Sequence, residues 1–223
     1  MTEEFIPYQF HKGEGDNKVL TGISIEIVQE LQKKIGNTDP IKMLPWARAL
    51  KKLGLKKNSA LFSTVRTPTR EDKYKWVGPL SKLEMVFFKK AGSSVNISSM
   101  EDAKKIGKIG VTKNVATHEI LSSMGFENLE VMQSGHDAKN LKLLTKERID
   151  MWASPYFYGI FNAREMGVLS KVEAIPNVTI LSGHLYIAFN KEIDDAIIEQ
   201  WQSALDELRN DGVVDKIIGK YDW

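Results

Sequence analysis

The chain has 223 residues, 42% apolar and 27% charged, with 31 Lys/Arg against 29 Asp/Glu and a mean hydropathy of −0.28. This balance excludes a disordered chain, which needs low hydrophobicity and a strong charge excess, and it supplies no global positive field for coating nucleic acid. Cysteine is absent, which rules out disulfides, thiolate metal sites and thiol nucleophiles, and no apolar run approaches the roughly 20 residues that cross a bilayer.

In chain order, Phe5-Ile6-Pro7-Tyr8-Gln9-Phe10 is aromatic-rich, and Pro7 keeps it out of a helix interior. His11 to Lys18 is polar and glycine-rich, a turn. Ile27, Val28, Leu31 and Ile35 recur at spacings of three and four, predicting a helix from about Ser24 to Ile35 that stops at Gly36-Asn37. Ile41 to Leu44 reads as a short strand, and Pro45 as the start of a helix carrying Ala47, Ala49, Leu50 and Leu53. Ala60 to Ser63 reads as a buried strand before the turn Thr67-Pro68-Thr69. Trp76 to Leu80 and Leu83 to Phe88 are extended.

From Ser99 onward, strands and helices alternate. Ser99 with Asp102 marks a helix start. Strands are expected at Lys108–Val111, Leu129–Met132, Ile149–Ala153 and Leu185–Asn190, and helices at Thr117–Met124, Ala138–Lys146 and Tyr156–Met166. A long helix from about Asp194 places Ile197, Trp201, Leu205 and Leu208 on one face, and a short last helix follows Asp211-Gly212. Such alternation defines an α/β chain with mostly parallel sheets. The centre, about 90–184, forms a self-contained unit that interrupts a domain built from the flanks.

Charge is uneven along the chain. Lys51 to Lys90 carries 11 Lys/Arg and 3 Asp/Glu, whereas Glu192 to Trp223 carries 3 Lys/Arg and 9 Asp/Glu. Two solvated faces that partly neutralise each other would account for most of this.

Signatures of catalysis are missing. There is no G-x-S-x-G elbow, no H-E-x-x-H and no Walker A loop, and His11, His118, His136 and His184 are scattered at spacings that suggest no metal site. What stands out is aromatic and cationic residues beside expected strand ends: Trp46 and Arg48 after one strand, Arg66 and Arg70 after another. Arginine presents a planar fork of donors suited to a carboxylate, and aromatic rings offer flat walls, while ligands in open α/β sheets bind outside the carboxyl ends of strands. By this reading Arg70 is either a ligand anchor or an exposed arginine pairing with Glu71 or Asp72. Trp46 is either a pocket wall or core.

Phe5-x-Pro7-Tyr8, Gly22-Ile23-Ser24-Ile25-Glu26-Ile27-Val28, Thr67-Pro68-Thr69-Arg70, Trp76-Val77-Gly78-Pro79-Leu80 and the ending around Asp211-Gly212 and Lys216-Ile217 together resemble the extracellular solute-binding proteins of the polar-amino-acid class, family 3. The similarity runs through nearly the whole chain. Leu44-Pro45-Trp46-Ala47-Arg48-Ala49 resembles a subgroup of that family. The resemblance implies a type II periplasmic-binding-protein-like α/β fold. One lobe would comprise residues 1–87 and 187–223 and the other 88–186, joined by two crossing segments, with a small ligand held between them by hinge closure. It implies Arg70 as the carboxylate clamp, Phe5 and Trp46 as an aromatic sandwich and Ser63 as a polar contact. The loop at about Lys113 to Thr117 would form part of the second lobe's contribution. The full expected lining is Phe5, Tyr8, Trp46, Arg48, Ser63, Arg66, Arg70, Asn114, Thr117, Ser154 and Tyr156. The membrane subunits of an ABC importer are the expected partners. No cofactor, metal, nucleic acid or membrane insertion is expected, and the location is periplasmic or extracytoplasmic, the leader absent from the chain being removed or trimmed.

Three departures sharpen the expectation. Where the family places an aspartate for a ligand ammonium, this chain reads Ser154-Pro155-Tyr156-Phe157-Tyr158, with no acid between Asp150 and Glu165. Arg66 replaces an apolar residue, and Val115-Ala116 replaces hydroxyl side chains. These point to a carboxylate-bearing or aromatic ligand without a free α-ammonium. The family's opening strand is also largely missing before Phe5, which would leave a neighbouring strand uncovered unless another segment pairs with it. The alternatives are a sensor module of the same fold, which needs a signalling segment elsewhere, and an enzyme on this fold, which needs an acid–base pair.

Overall fold

The computed structural model describes residues 1–13, 15–133 and 137–221. In chain order the elements are β1 (Phe10–Lys12), β2 (Val19–Thr21), α1 (Ile23–Ile35), α2 (Trp46–Leu55), β3 (Ala60–Val65), α3 (Pro68–Glu71) and β4 (Tyr74–Lys90). There follow α4 (Met100–Ala103), β5 (Ile109–Thr112), α5 (Ala116–Ser123), β6 (Leu129–Met132), α6 (Asp137–Thr145), β7 (Met151–Pro155) and α7 (Tyr156–Glu165). The chain then runs through β8 (Val172–Asn190), α8 (Asp195–Asn210) and α9 (Val213–Ile218). The molecule divides into two compact units, residues 1–82 with 184–223 and residues 83–183. The chain passes between them twice, within β4 and within β8.

In the first unit, α1 buries Ile23, Ile27, Val28 and Leu31, the stripe its 3.6-residue period lays on one side, and Ile25 beyond the edge of that stripe. Gly22 opens this helix at φ 125°, and a Cβ there would stand 2.5 Å from the Tyr8 carbonyl oxygen, so the close approach of the aromatic turn to α1 requires glycine. β3 pairs antiparallel with the end of β8, from Ala60↔Phe189 to Val65↔Leu185. Met1 and Thr2 supply backbone partners on this side of the unit: Phe62 N–H donates to the Met1 carbonyl at 3.1 Å, and Leu44 N–H donates to the Thr2 carbonyl at 2.8 Å. The strand expected at Ile41–Leu44 is reduced to a single parallel bridge, Thr2↔Met43. The turn expected at His11–Lys18 is a small antiparallel hairpin, β1 with β2.

α8 buries Ala204, Leu205 and Leu208, while Trp201 is half-buried, edge-on to Phe189, and Ile197 is exposed, so the apolar face is shorter than the sequence pattern suggests. Tyr221 closes the unit. Its hydroxyl donates to Glu26, contacts Thr21 Oγ1 at 2.9 Å and accepts from Gly22 N–H at 3.1 Å, and Lys220 Nζ reaches Glu26 Oε2 at 2.6 Å. The basic and acidic stretches do meet, with Lys75 Nζ lying 2.6 Å from Asp195 Oδ1.

In the second unit, β5 lies between two parallel partners, β6 and β7, and β7 pairs antiparallel with β4 through Met85↔Pro155 to Lys89↔Met151. Among the described residues the parallel pairs between named strands are in this unit, so the sheets are mixed rather than mostly parallel. Phe88, Leu141, Leu144, Ile149, Trp152 and Ala163 form its core. Ser99 accepts the Asp102 N–H at 3.1 Å, as expected for a cap, but the Asp102 carboxylate turns back to Ser98, accepting from its N–H and its hydroxyl. These bonds hold Asp102 down at about 2.

Candidate ligand-binding site

In the first unit the aromatic turn comes first. Phe5 and Tyr8 rings lie 4.8 Å apart, and the Phe5 carbonyl accepts from the N–H groups of both Tyr8 and Gln9. Tyr8 is buried and its hydroxyl donates to the Lys82 carbonyl at 2.9 Å, while burial pushes the phenol well above its ordinary range. Phe5 is half-buried.

β3 delivers the next group. Ser63 sits at a register shift in the strand with φ 58°, a left-handed conformation uncommon for a non-glycine residue. Its hydroxyl donates to Gln9 Oε1 at 2.6 Å and contacts Ser24 Oγ at 2.8 Å, with all three residues buried. Gln9 and Ser24 were not singled out from the sequence. A lone glutamine after an aromatic turn and a serine in an apolar helix carry no spacing signal, and only the fold brings them to Ser63.

The two arginines after β3 separate. Arg70 is buried on α3, its Nη1 donates to the Val65 carbonyl at 3.4 Å, and its guanidinium lies 5.1 Å from the Trp46 ring centroid. Trp46 is itself buried at the first position of α2, with its N–H donating to Glu3 Oε1 at 2.8 Å. Arg66 instead forms a two-bonded pair with Glu71, Nε to Oε2 at 2.9 Å and Nη2 to Oε1, and its guanidinium lies 5.5 Å from the Trp76 ring and 5.3 Å from the Tyr186 ring. The Glu71 bond strengthens the charged form of Arg66, and Arg66 in turn holds the Glu71 carboxyl below its usual range. The pairing with Glu71 considered for Arg70 is therefore made by Arg66. Arg48 is exposed on α2.

In the second unit, Asn114 (φ 64°) is exposed in the turn between β5 and α5, its N–H directed at His118 Nδ1 at 3.3 Å. Thr117 is buried in the first turn of α5. Ser154 is buried in β7 opposite Val86, with its hydroxyl near its neighbour's carbonyl at 3.3 Å. Tyr156 opens α7 after Pro155, half-buried and stacked on Phe88 with ring centroids 6.3 Å apart. Among the described residues no group of three or more His, Cys, Asp or Glu could hold a metal, and no helix is long and apolar enough to cross a membrane. His136 lies outside the described residues.

The structure thus gathers Phe5, Tyr8 and Ser63, joined through Gln9, and pairs Trp46 with Arg70, all in the first unit. It gathers Ser154 and Tyr156 at the β7–α7 junction in the second. This is the architecture of the type II periplasmic binding proteins. It matches a histidine kinase sensor domain similar to periplasmic binding proteins with a TM-score of 0.85 at 18% identity, over 99% of this chain and 93% of that one. It also matches the substrate-binding protein of an amino acid ABC transporter with a TM-score of 0.81 at 20% identity, over 99% and 96% of the two chains. The L-cystine-binding protein TcyA of Bacillus subtilis (strain 168) is 24% identical over 215 residues, covering 96% of this chain and 76% of that protein. The family pattern of the bacterial extracellular solute-binding proteins, family 3, matches residues 1–222, and the chain belongs to that family. It is a binding protein, not an enzyme.

Proposed function

We propose that the chain captures a small carboxylate-bearing or aromatic ligand lacking a free α-ammonium and delivers it to the membrane subunits of an ABC importer. The observation that carries the ligand class is the acid-free stretch from Met151 to Arg164, which offers the Ser154 hydroxyl and the Tyr156 ring but no carboxylate where the family places one for an ammonium. The first unit supports it with a buried cation on an aromatic face, Arg70 over Trp46, since a guanidinium recognises carboxylates by a two-pronged hydrogen bond. The proposed ligand contacts are Phe5, Trp46, Ser63 and Arg70 within the first unit and Asn114, Thr117, Ser154 and Tyr156 within the second.

The test is to identify by mass spectrometry what co-purifies with the protein, then to titrate a panel of aromatic acids, simple carboxylates and α-amino acids by calorimetry. Binding confined to acids without an α-ammonium is the expected result; tight binding of an ordinary α-amino acid overturns the ligand class. A second reading, ligand sensing for a signalling protein, draws on the likeness to a histidine kinase sensor domain. Deleting the gene separates the two: loss of ligand uptake supports transport, and intact uptake with a lost transcriptional response supports sensing.

A further inference from the structure

Part of the basic stretch noted in the sequence falls on and just after one helix, with Lys51 and Lys52 in α2 and Lys56 and Lys57 directly behind it. At 100° per residue, Arg48, Lys51, Lys52 and Leu55 of α2 fall within an arc of about 100°, with Leu55 inside it. Trp46, Ala49 and Leu53, the residues α2 buries, lie on the other side of the helix. Lys56 and Lys57 follow directly and are exposed, as are Arg48 and Lys51, while Lys52 is half-buried. Leu55 is 74% exposed, the most exposed large apolar side chain among those described. Among the described residues none of these five cations forms an ion pair. No Asp or Glu occurs between Asp39 and Glu71 in the sequence.

A helix that presents unpaired cations around a solvent-exposed leucine has two properties to satisfy. Five positive charges seek a dense anionic surface, and the leucine seeks an apolar layer just beneath it. We propose that the outer face of α2, with Lys56 and Lys57, is a contact surface for anionic lipid headgroups, with Leu55 entering the headgroup–acyl boundary. A bilayer of acidic phospholipid offers both features at that depth. A nucleic acid makes no use of the leucine, and the face presents no exposed aromatic ring for base stacking. Lysines on long, mobile stems suit headgroups that have no fixed geometry.

The experiment is vesicle co-sedimentation of the whole protein. The vesicles are pure phosphatidylcholine, or equal parts phosphatidylcholine and phosphatidylglycerol, each at low salt and at ~0.5 M salt, where charges are screened within a few ångströms. Wild type is expected to bind only the phosphatidylglycerol vesicles, and only at low salt. The variant K51Q/K52Q/K56Q/K57Q is expected to lose on the order of a hundredfold or more in partitioning, at about a factor of five per lysine. Leu55→Ser is expected to lose several-fold while keeping the salt dependence. A control, K105Q/K139Q/K142Q/K146Q, removes the same charge from exposed lysines of the other unit and is expected to bind like wild type. Three results would overturn the proposal: no vesicle binding, equal binding to neutral vesicles, or equal losses in the control. Retention by an acidic polypeptide without vesicle binding would also overturn it, assigning the face to a protein partner instead. Melting temperatures of all variants, expected to lie within a few degrees of wild type, exclude unfolding as the cause.

Discussion

The Arg66 guanidinium grips the Glu71 carboxylate with two hydrogen bonds while lying against the rings of Trp76 and Tyr186, and the Trp76 indole N–H donates to the Glu71 carbonyl at 3.1 Å. Glu71 ends α3, the single turn that carries Arg70. Arg66 therefore holds the last residue of that turn by its side chain, and Trp76 holds it by its main chain.

Replacing Arg66 by Gln removes the paired bonds and the stacked cation. Both partners are more than a third exposed, so screening limits the loss to ~1 kcal/mol, measurable as a shift in the urea midpoint. Because Glu71 is depressed when folded, its contribution is complete above the unfolded glutamate value of about 4.3 and disappears as pH falls through the lower folded value. The stability gap between wild type and Arg66→Gln is expected to be full at neutral pH and to narrow in acid. A gap that widens in acid would contradict the pairing.

Ser63 combines a left-handed backbone with a buried hydrogen-bond pair. Ser63→Ala leaves Gln9 Oε1 and Ser24 Oγ without their shared partner in a buried setting, costing about 1–3 kcal/mol. Ser63→Val adds a β-branched side chain at φ 58° and is expected to be worse than alanine in the same denaturation series.

Gly159 faces Phe88 inside the second unit. A Cβ there would stand 2.4 Å from Phe88 Cε2 and 2.5 Å from Cζ, and Phe88 is fully buried between Trp152 and Tyr156. Gly159→Ala is expected to cost about 1–3 kcal/mol by overpacking, despite its better helix propensity. Thermal unfolding checks this; a more stable variant would mean that the ring yields.

Arg70→Ala tests the ligand anchor itself. Once a ligand has been identified, its affinity should fall by ~2–3 kcal/mol, the worth of a charge-assisted two-pronged contact. Calorimetry on the folded variant decides, and unchanged affinity removes Arg70 from the site.

The elements with a regular period were legible in the sequence. Ile27, Val28 and Leu31 placed α1, and the alternation after Ser99 placed β5 to α7 within two residues at every end. What escaped was irregular. The first part of β8 buries Val172, Ile175, Val178 and Ile180, and Pro176 with the left-handed Asn177 breaks the two-residue alternation that marks a strand. β3 runs on to Val65 because the register shift at Ser63 lets pairing resume beyond it. In the candidate site, residue types beside strand ends identified Arg66 and Arg70 together. Which of them turns to Glu71 depends on the direction each leaves a one-turn helix and the strand before it, and on rings from β4 and β8 more than a hundred residues apart.

The discontinuity of the first unit also orders its assembly during synthesis. Residues 83–183 form one uninterrupted stretch and hold the sheet partners of β5, β6 and β7, so those partners have all been made before residue 184 is. The first 82 residues emerge earlier yet must wait: β3 lacks its partner until Leu185–Phe189 arrive, and Glu26 on α1 lacks its clasp until Tyr221 does. The older half of the chain is thus the last for which all partners have been made.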